Sequence, residues 1–206
     1  MNRGINRQQI FRDDQDRATF TALVKEYKEE CGASVYHWCW MSNHYHMLVE
    51  VVYDNLRPFV SGVQQTYAQY FHARHGTCGV FWQNRYKSKP VEIGEYLGRC
   101  GRYIERNAVR AGIVDVAEDY EWSSAARYVR GVTDAITDWN SYFGGNETSH
   151  DFSTWYQECL ESGVDDEWMK SRKKQRCLGS EEFSLRLKTS KGRHRRKRGR
   201  PVKPSS

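Results

Sequence analysis

A chain of 206 residues, 38% hydrophobic and 14% aromatic, can hold one domain with a substantial core plus an appendage, and is too short for two ordinary enzyme domains. Its formal charge of +6 divides sharply, because residues 170–206 carry fifteen Lys and Arg against two acids, a local +13, which leaves −7 on the first 169 residues. No apolar run reaches membrane-spanning length, the first residues lack the apolar segment of a secretion signal, and the six cysteines show no CxxC spacing. These features argue against a spanning helix, a disulfide framework and a cysteine zinc cluster, and they lead us to expect a cytoplasmic, nucleoid-associated protein with free thiols.

In chain order, Asp13, Asp14 or Asp16 can cap a helix in which Phe20, Leu23, Val24 and Tyr27 recur at helical spacing up to Gly32. The aromatic and β-branched run Ser34 to Met41 reads as a strand, Ser42-Asn43 as a short connection and His44 to Val52 as a second strand, together a hairpin. Side chains alternate along a strand, so His44 and His46 share a face while Tyr45, Met47 and Val49 take the other. Two neutral imidazoles on a rigid strand make half of a metal site, and they also suit two half-buried polar residues of a sheet.

A helix from about Leu56 to His75 carries Phe59, Val63, Tyr67, Tyr70 and Phe71 and stops at Gly76. Residues 79–91 interleave aromatics with cations, a composition that grips single-stranded nucleic acid and equally describes a strand with a solvated basic face. A third helix is expected from about Ile93 to Arg110, with Ile93, Leu97, Cys100 and Ile104 as its buried stripe. Tyr96, Tyr103 and Asn107 form the adjacent stripe, the last two one turn apart, flanked by Arg99, Arg102, Arg106 and Arg110. A tyrosine among four arginines can approach a phosphate or can simply pack.

Tyr120 to Tyr128 reads as a last short packing element of a unit spanning residues 1–130. Residues 131–180 form an acidic, aromatic extension: nine acids and no Lys or Arg lie between Gly131 and Met169, and its rings make it too aromatic for disorder, so we expect helices packed on the domain or on a partner. Residues 181–206 are expected to be an unstructured basic tail that binds nucleic acid, and its Arg198-Gly199-Arg200-Pro201 resembles the core of an AT-hook. Pairing between the acidic extension and this tail would mask a DNA groove.

Four separated pieces then occur in one order: Phe11-Arg12-Asp13-Asp14, Met41-Ser42-Asn43-His44-Tyr45-His46-Met47-Leu48-Val49-Glu50, Trp82-Gln83-Asn84-Arg85-Tyr86-Lys87-Ser88 and Tyr103-Ile104-Glu105-Arg106-Asn107-Ala108-Val109-Arg110-Ala111-Gly112. Together they resemble the IS200-like single-tyrosine (Y1) transposases of the HUH superfamily, and within them the REP-associated tyrosine transposases, over roughly residues 3 to 128. The resemblance implies a ferredoxin-like α+β domain whose antiparallel sheet presents the histidines opposite the tyrosine helix. It implies that His44, His46 and Asn107 bind Mg²⁺ or Mn²⁺, and that Tyr103 attacks single-stranded, hairpin-bearing DNA to give a 5′-phosphotyrosyl link and a free 3′-OH. Trp82, Gln83, Arg85 and Lys87 would grip the strand, and the protein would act as a monomer or homodimer.

Two departures from the family pattern carry their own expectations. Met1-Asn2-Arg3-Gly4 begins where a first strand should end, so either the true start lies upstream or the sheet lacks that strand and exposes an edge. Ala108 stands where the family has proline, which should loosen the helix end without touching the chemistry. A DNA-hairpin-binding protein that no longer cuts is the alternative from a different class, and the presence of His44, His46, Tyr103 and Asn107 favours the transferase.

Overall fold

Alternation along two strands organises the molecule, a computed structural model that describes residues 1–139 and 149–193. Strands β2 (Ser34–Met41) and β3 (His44–Glu50) pair antiparallel with Met41 opposite His44 and Cys39 opposite His46. Val35, Trp38, Trp40 and Tyr45 turn to one face, and the helices α1 (Asp14–Cys31) and α2 (Tyr53–His75) cover it with Phe20, Val24, Phe59, Val63, Tyr67 and Phe71. Cys39, Met41 and Leu48 turn to the other face, against Leu97, Cys100 and Ile104 of α3 (Glu95–Glu105). With helices on both sides, β2 is buried almost throughout, which is why it reads as a continuous aromatic run.

The first strand is shortened, not absent: β1 (Asn2–Arg3) pairs with β3, Asn2 opposite Tyr45 and Arg3 opposite His44, giving the antiparallel order β1-β3-β2. Residues 81–87 run along the outer side of β1, where Gln83 N–H donates to Arg3 O and Lys87 N–H to Met1 O, both at 2.9 Å, and Ile5 N–H donates to Phe81 O. The path β1-α1-β2-β3-α2-edge, with the edge beside β1, is the ferredoxin-like arrangement. Its fourth position is an isolated bridge between Gly4 and Trp82, because a two-residue β1 offers too short a partner for a regular strand.

The extension closes the opposite edge. Asp138 N–H donates to Val35 O at 2.7 Å, and the Asp138 carboxylate accepts from Val35 N–H and from Lys28. Helices α5 (Ala125–Arg130) and α6 (His150–Ser162) bury Tyr128, Tyr156 and Leu160 together, and α7 (Val164–Arg172) lies along α3. Ile136, Tyr156, Leu160 and Leu178 thus belong to the buried clusters.

Two expectations change. Ile93 is 71% exposed, because α3 begins only at Glu95 after Gly94, two residues past the expected start. Residues Glu181–Arg193, expected to be unstructured, form α8: Ser180 Oγ accepts from Phe183 N–H, Ser180 N–H donates to Glu92, and Glu181 and Glu182 occupy the first turn. A capped, favourably charged start outweighs the basic composition that follows. Arg198 and Arg200 lie outside the described residues.

Asp13 and Asp16 fasten α1 to α2, and they make the fold sensitive to acid. Asp13 caps α1, accepting from Asp16 N–H at 3.0 Å, and takes both arms of Arg74 at 2.7 and 2.8 Å, which lowers its carboxyl to about 2. Burial alone would raise Asp16, but hydrogen bonds from Arg12 N–H, His75 and Arg74 outweigh it and leave it lowered. Folded values below unfolded ones mean that this stabilisation is complete above about pH 4 and is lost as pH falls toward about 2. Urea midpoints should therefore drop across that window, and Asp16→Asn should remove part of the drop while lowering the midpoint at neutral pH.

Candidate active site

Close approach of α3 to the sheet creates the site. A Cβ on Gly101 would lie 2.5 Å from the His37 ring, so the helix can sit this near β2 only with glycine there. One position round from the packed face, Glu105 is fully buried and gathers three partners: His37 Nδ1 at 2.8 Å, Ser124 Oγ at 2.6 Å and the Tyr156 hydroxyl at 2.7 Å. Burial, followed by the Glu105 carboxylate, pushes Tyr156 well above its usual range, so its hydroxyl stays protonated and donates. This network joins α3, β2, α5's leading turn and α6.

On the sheet, His44 and His46 stand side by side on the α3-facing side of β3, ring centroids 5.2 Å apart and ring planes at 82°. Asn43 Oδ1 lies 2.6 Å from His44 Nδ1, an arrangement that orients the ring when Nδ1 carries the proton. Burial first, then Arg3 and Arg110, lower His44 to about 4, and burial with the same neighbouring cations lowers His46 well below its usual value. Both imidazoles are neutral at physiological pH, the form that donates a lone pair to a metal.

The helix side of the site is assembled where α3 ends at Arg106 and α4 (Asn107–Arg110) begins. The Asn107 amide nitrogen folds back onto Ile104 O at 2.7 Å and Tyr103 O at 3.4 Å, capping the last turn and leaving the amide oxygen as the possible ligating atom. The Arg110 guanidinium lies 3.9 Å from the centroid of the Tyr103 ring and donates to Tyr103 O at 2.9 Å. Arg110 is also among the charges that, after burial, lower both His44 and His46. One Arg110 terminal nitrogen, and Nε of Arg3, the cross-strand partner of His44, are buried without a hydrogen-bond partner among the described residues.

The other predicted DNA contacts separate into two groups. Arg102 is buried and meets Asp165 at 2.6 Å; Arg106 and Arg110 meet Asp166 at 3.1 and 2.6 Å, and Arg106 also donates to Leu160 O. The acids of α7 thus pair with the tyrosine helix, where the sequence suggested pairing with the tail. Gly163 permits this: with φ of 63° it turns α6 into α7, and a Cβ there would lie 2.9 Å from the Arg106 guanidinium. Arg99 pairs with Glu95 on an exposed turn. Trp82 turns inward, its ring 5.8 Å from Tyr45 and its Nε1 donating to Gln64 O at 3.0 Å, whereas Gln83, Arg85 and Lys87 are exposed beside β1. Gln83 and Lys87 line a pocket of about 80 Å³ with Arg3.

Several contributors escaped the sequence reading. Glu105 stands inside a motif that was singled out, one residue after the buried Ile104, and a carboxylate on that side of an apolar helix was the available signal. Arg3, Asp165 and Asp166 gave none, since their partners lie some forty to sixty residues away in the chain. Among the described residues, no group of three or more His, Cys, Asp and Glu is placed to hold a metal ion. A cation here would depend on the two imidazoles and the uncharged Asn107, with the positive Arg3 and Arg110 nearby. That donor set fits a divalent ion only when further oxygens join it.

Comparisons with known proteins bear on the fold and the family. No curated protein matches the chain. A solved structure of a REP-associated tyrosine transposase bound to a REP hairpin is similar in fold, with a TM-score of 0.52 at 17% identity over 68% of this chain and 82% of that one. The family described as transposase IS200 like matches residues 1–107, a span that holds both histidines, the tyrosine and the asparagine, and the chain belongs to that family.

Proposed function

We propose that the protein cleaves and rejoins single-stranded DNA through Tyr103. The observation that carries this reading is the placement of Tyr103, with the Arg110 guanidinium 3.9 Å from its ring centroid, on helices packed against the strand face that holds the paired His44 and His46. The Tyr103 hydroxyl oxygen bonds to phosphorus as the bond from phosphorus to the 3′ oxygen breaks; the phenol's proton is lost to solvent and the 3′ oxygen gains one. The products are a 5′-phosphotyrosyl link and a 3′-OH, so the bond energy is kept and the strand can be rejoined without ATP.

A phenol of ordinary pKa, about 10, attacks poorly at neutral pH. Arg3, across the ladder from His44, and Arg110, over the Tyr103 ring, each carry a nitrogen without a hydrogen-bond partner among the described residues, two donors for the phosphate oxygens as charge develops there. Mg²⁺ or Mn²⁺ held by His44, His46 and the Asn107 oxygen would supply Lewis-acid polarisation of that phosphate. Gln83, Arg85 and Lys87, exposed along the β1 edge near Arg3, would carry the strand toward the site. The fold's likeness to a structure bound to a REP hairpin supports hairpin-bearing DNA as substrate. No helix among the described residues is long and apolar enough to cross a membrane, compatible with action on DNA in the cytoplasm.

Incubation with hairpin-bearing single-stranded DNA and Mn²⁺, followed by denaturing electrophoresis, tests this. A covalent protein–DNA band should form and should be abolished in Tyr103→Phe, which retains the ring under Arg110. Cleavage that persists in the variant overturns the reading, and tight binding with no band from the wild type would identify a hairpin-binding protein.

A further inference from the structure

We infer that α3 and α7 form a second single-stranded DNA subsite, which takes a phosphate and its nucleoside beside the cleavage position; this rests on Tyr103 being the nucleophile. Pairing of Asp165 and Asp166 with the arginines of the tyrosine helix brings α7 against α3 and opens a groove of about 260 Å³ lined by Glu95, Tyr96, Arg99, Trp168 and Arg172. Tyr96 lies 5.6 Å from the Trp168 ring, and the Arg172 and Arg99 guanidinium carbons lie 4.8 and 5.5 Å from it. Two rings with two guanidinium groups, all half-buried, are the elements that hold a nucleotide: a phosphate between the arginines and a base or sugar against the indole.

Charge and position both select DNA as the occupant. Lys170, Arg172, Lys173, Lys174 and Arg176 form a basic run at the end of α7, and Lys89 fixes that end by donating to the carbonyls of Arg172 and Lys173 at 3.4 and 2.7 Å. Glu95 is the one acid of the groove, and its pair with Arg99 is an exposed, screened i,i+4 contact that a phosphate can replace. Tyr96 stands seven residues before Tyr103 on the same stripe, roughly 10.5 Å along the helix axis at 1.5 Å per residue. At about 3.4 Å per stacked nucleotide that is about three nucleotides from the attacked phosphate, and fewer for an extended strand. The sequence showed Tyr96 and Arg99 on this helix; only the fold adds Trp168 and Arg172.

Fluorescence anisotropy of a labelled single-stranded oligothymidylate, titrated with the full chain over a range of KCl concentrations, tests the subsite. Arg172→Ala should weaken binding about tenfold and flatten the slope of log affinity against log salt by about 0.7, the loss of one phosphate contact on a single strand. Trp168→Ala should weaken binding roughly 5- to 150-fold, as expected for a lost stacking partner, and Trp168→Phe should restore most of it. The basic run after Arg193 is common to every variant, so the differences report the groove. Variants that keep the wild-type circular dichroism and urea midpoint but also keep wild-type affinity and salt slope overturn the proposal, as does a wild type that does not bind the oligothymidylate. A wild type that forms no covalent band, or a Tyr103→Phe variant that still cleaves, with these binding differences intact would instead count against the cleavage reading alone.

Discussion

Glu105→Ala is expected to lower the free energy of unfolding by about 3–5 kcal/mol, because it leaves His37, Ser124 and Tyr156 donors without their shared acceptor, at roughly 1–3 kcal/mol each before relaxation. Glu105→Gln retains one acceptor oxygen and the side-chain volume, and should lose about 1–2 kcal/mol. Chemical denaturation reads both values. The same carboxylate fixes the end of α3 that carries Tyr103, so the covalent DNA adduct should form more slowly in the glutamine variant even where it is fully folded. Equal urea midpoints for wild type and Glu105→Ala would show that the network does not hold the helix.

His46→Ala is expected to slow adduct formation by roughly 10³-fold, the equivalent of several kcal/mol of metal-derived stabilisation at 1.36 kcal/mol per decade. Binding of hairpin DNA should fall much less, since Arg85, Lys87 and the arginines remain; single-turnover rates and binding isotherms separate the two effects. In the absence of DNA, calorimetry should show only weak Mg²⁺ binding by the wild type. Two imidazoles and an amide form an incomplete shell for an oxygen-seeking ion, and Arg3 and Arg110 repel it until phosphate arrives. Tight Mg²⁺ binding by the free protein would contradict this account of the site.

The residues of the candidate centre were legible because each rests on local periodicity. A strand of period two puts His44 and His46 on one face whatever surrounds it, and a helix sets Tyr103 and Asn107 one turn apart. The same local logic put Asp13, the cap the helix uses, among three candidates and marked Gly32 and Gly76 as stops, where the backbone does adopt left-handed φ of 59° and 61°. It misplaced the start of α3, because Ile93 continues the apolar spacing and only the backbone turn at Gly94 removes it from the helix.

Partner choice was not legible. Arg102, Arg106 and Arg110 look alike in sequence to Arg99, yet Asp165 and Asp166, some sixty residues away, take the first three in close ion pairs, while Arg99 meets Asp165 only at 3.9 Å and lines an open groove. Trp82, placed by its cationic neighbours among strand-gripping residues, packs against Tyr45 and Tyr67 because the edge beside β1 turns that side chain inward.

By itself the sequence determined the chemistry available here: a histidine pair, a tyrosine with its asparagine, and an excess of cations, each fixed by the repeat of a single element. The tertiary structure decided which cations line open surface and which pair with the acids of α7. A charge interacts with whatever lies within a few ångströms, and neighbours drawn from distant parts of the chain are chosen by packing, which no local repeat encodes.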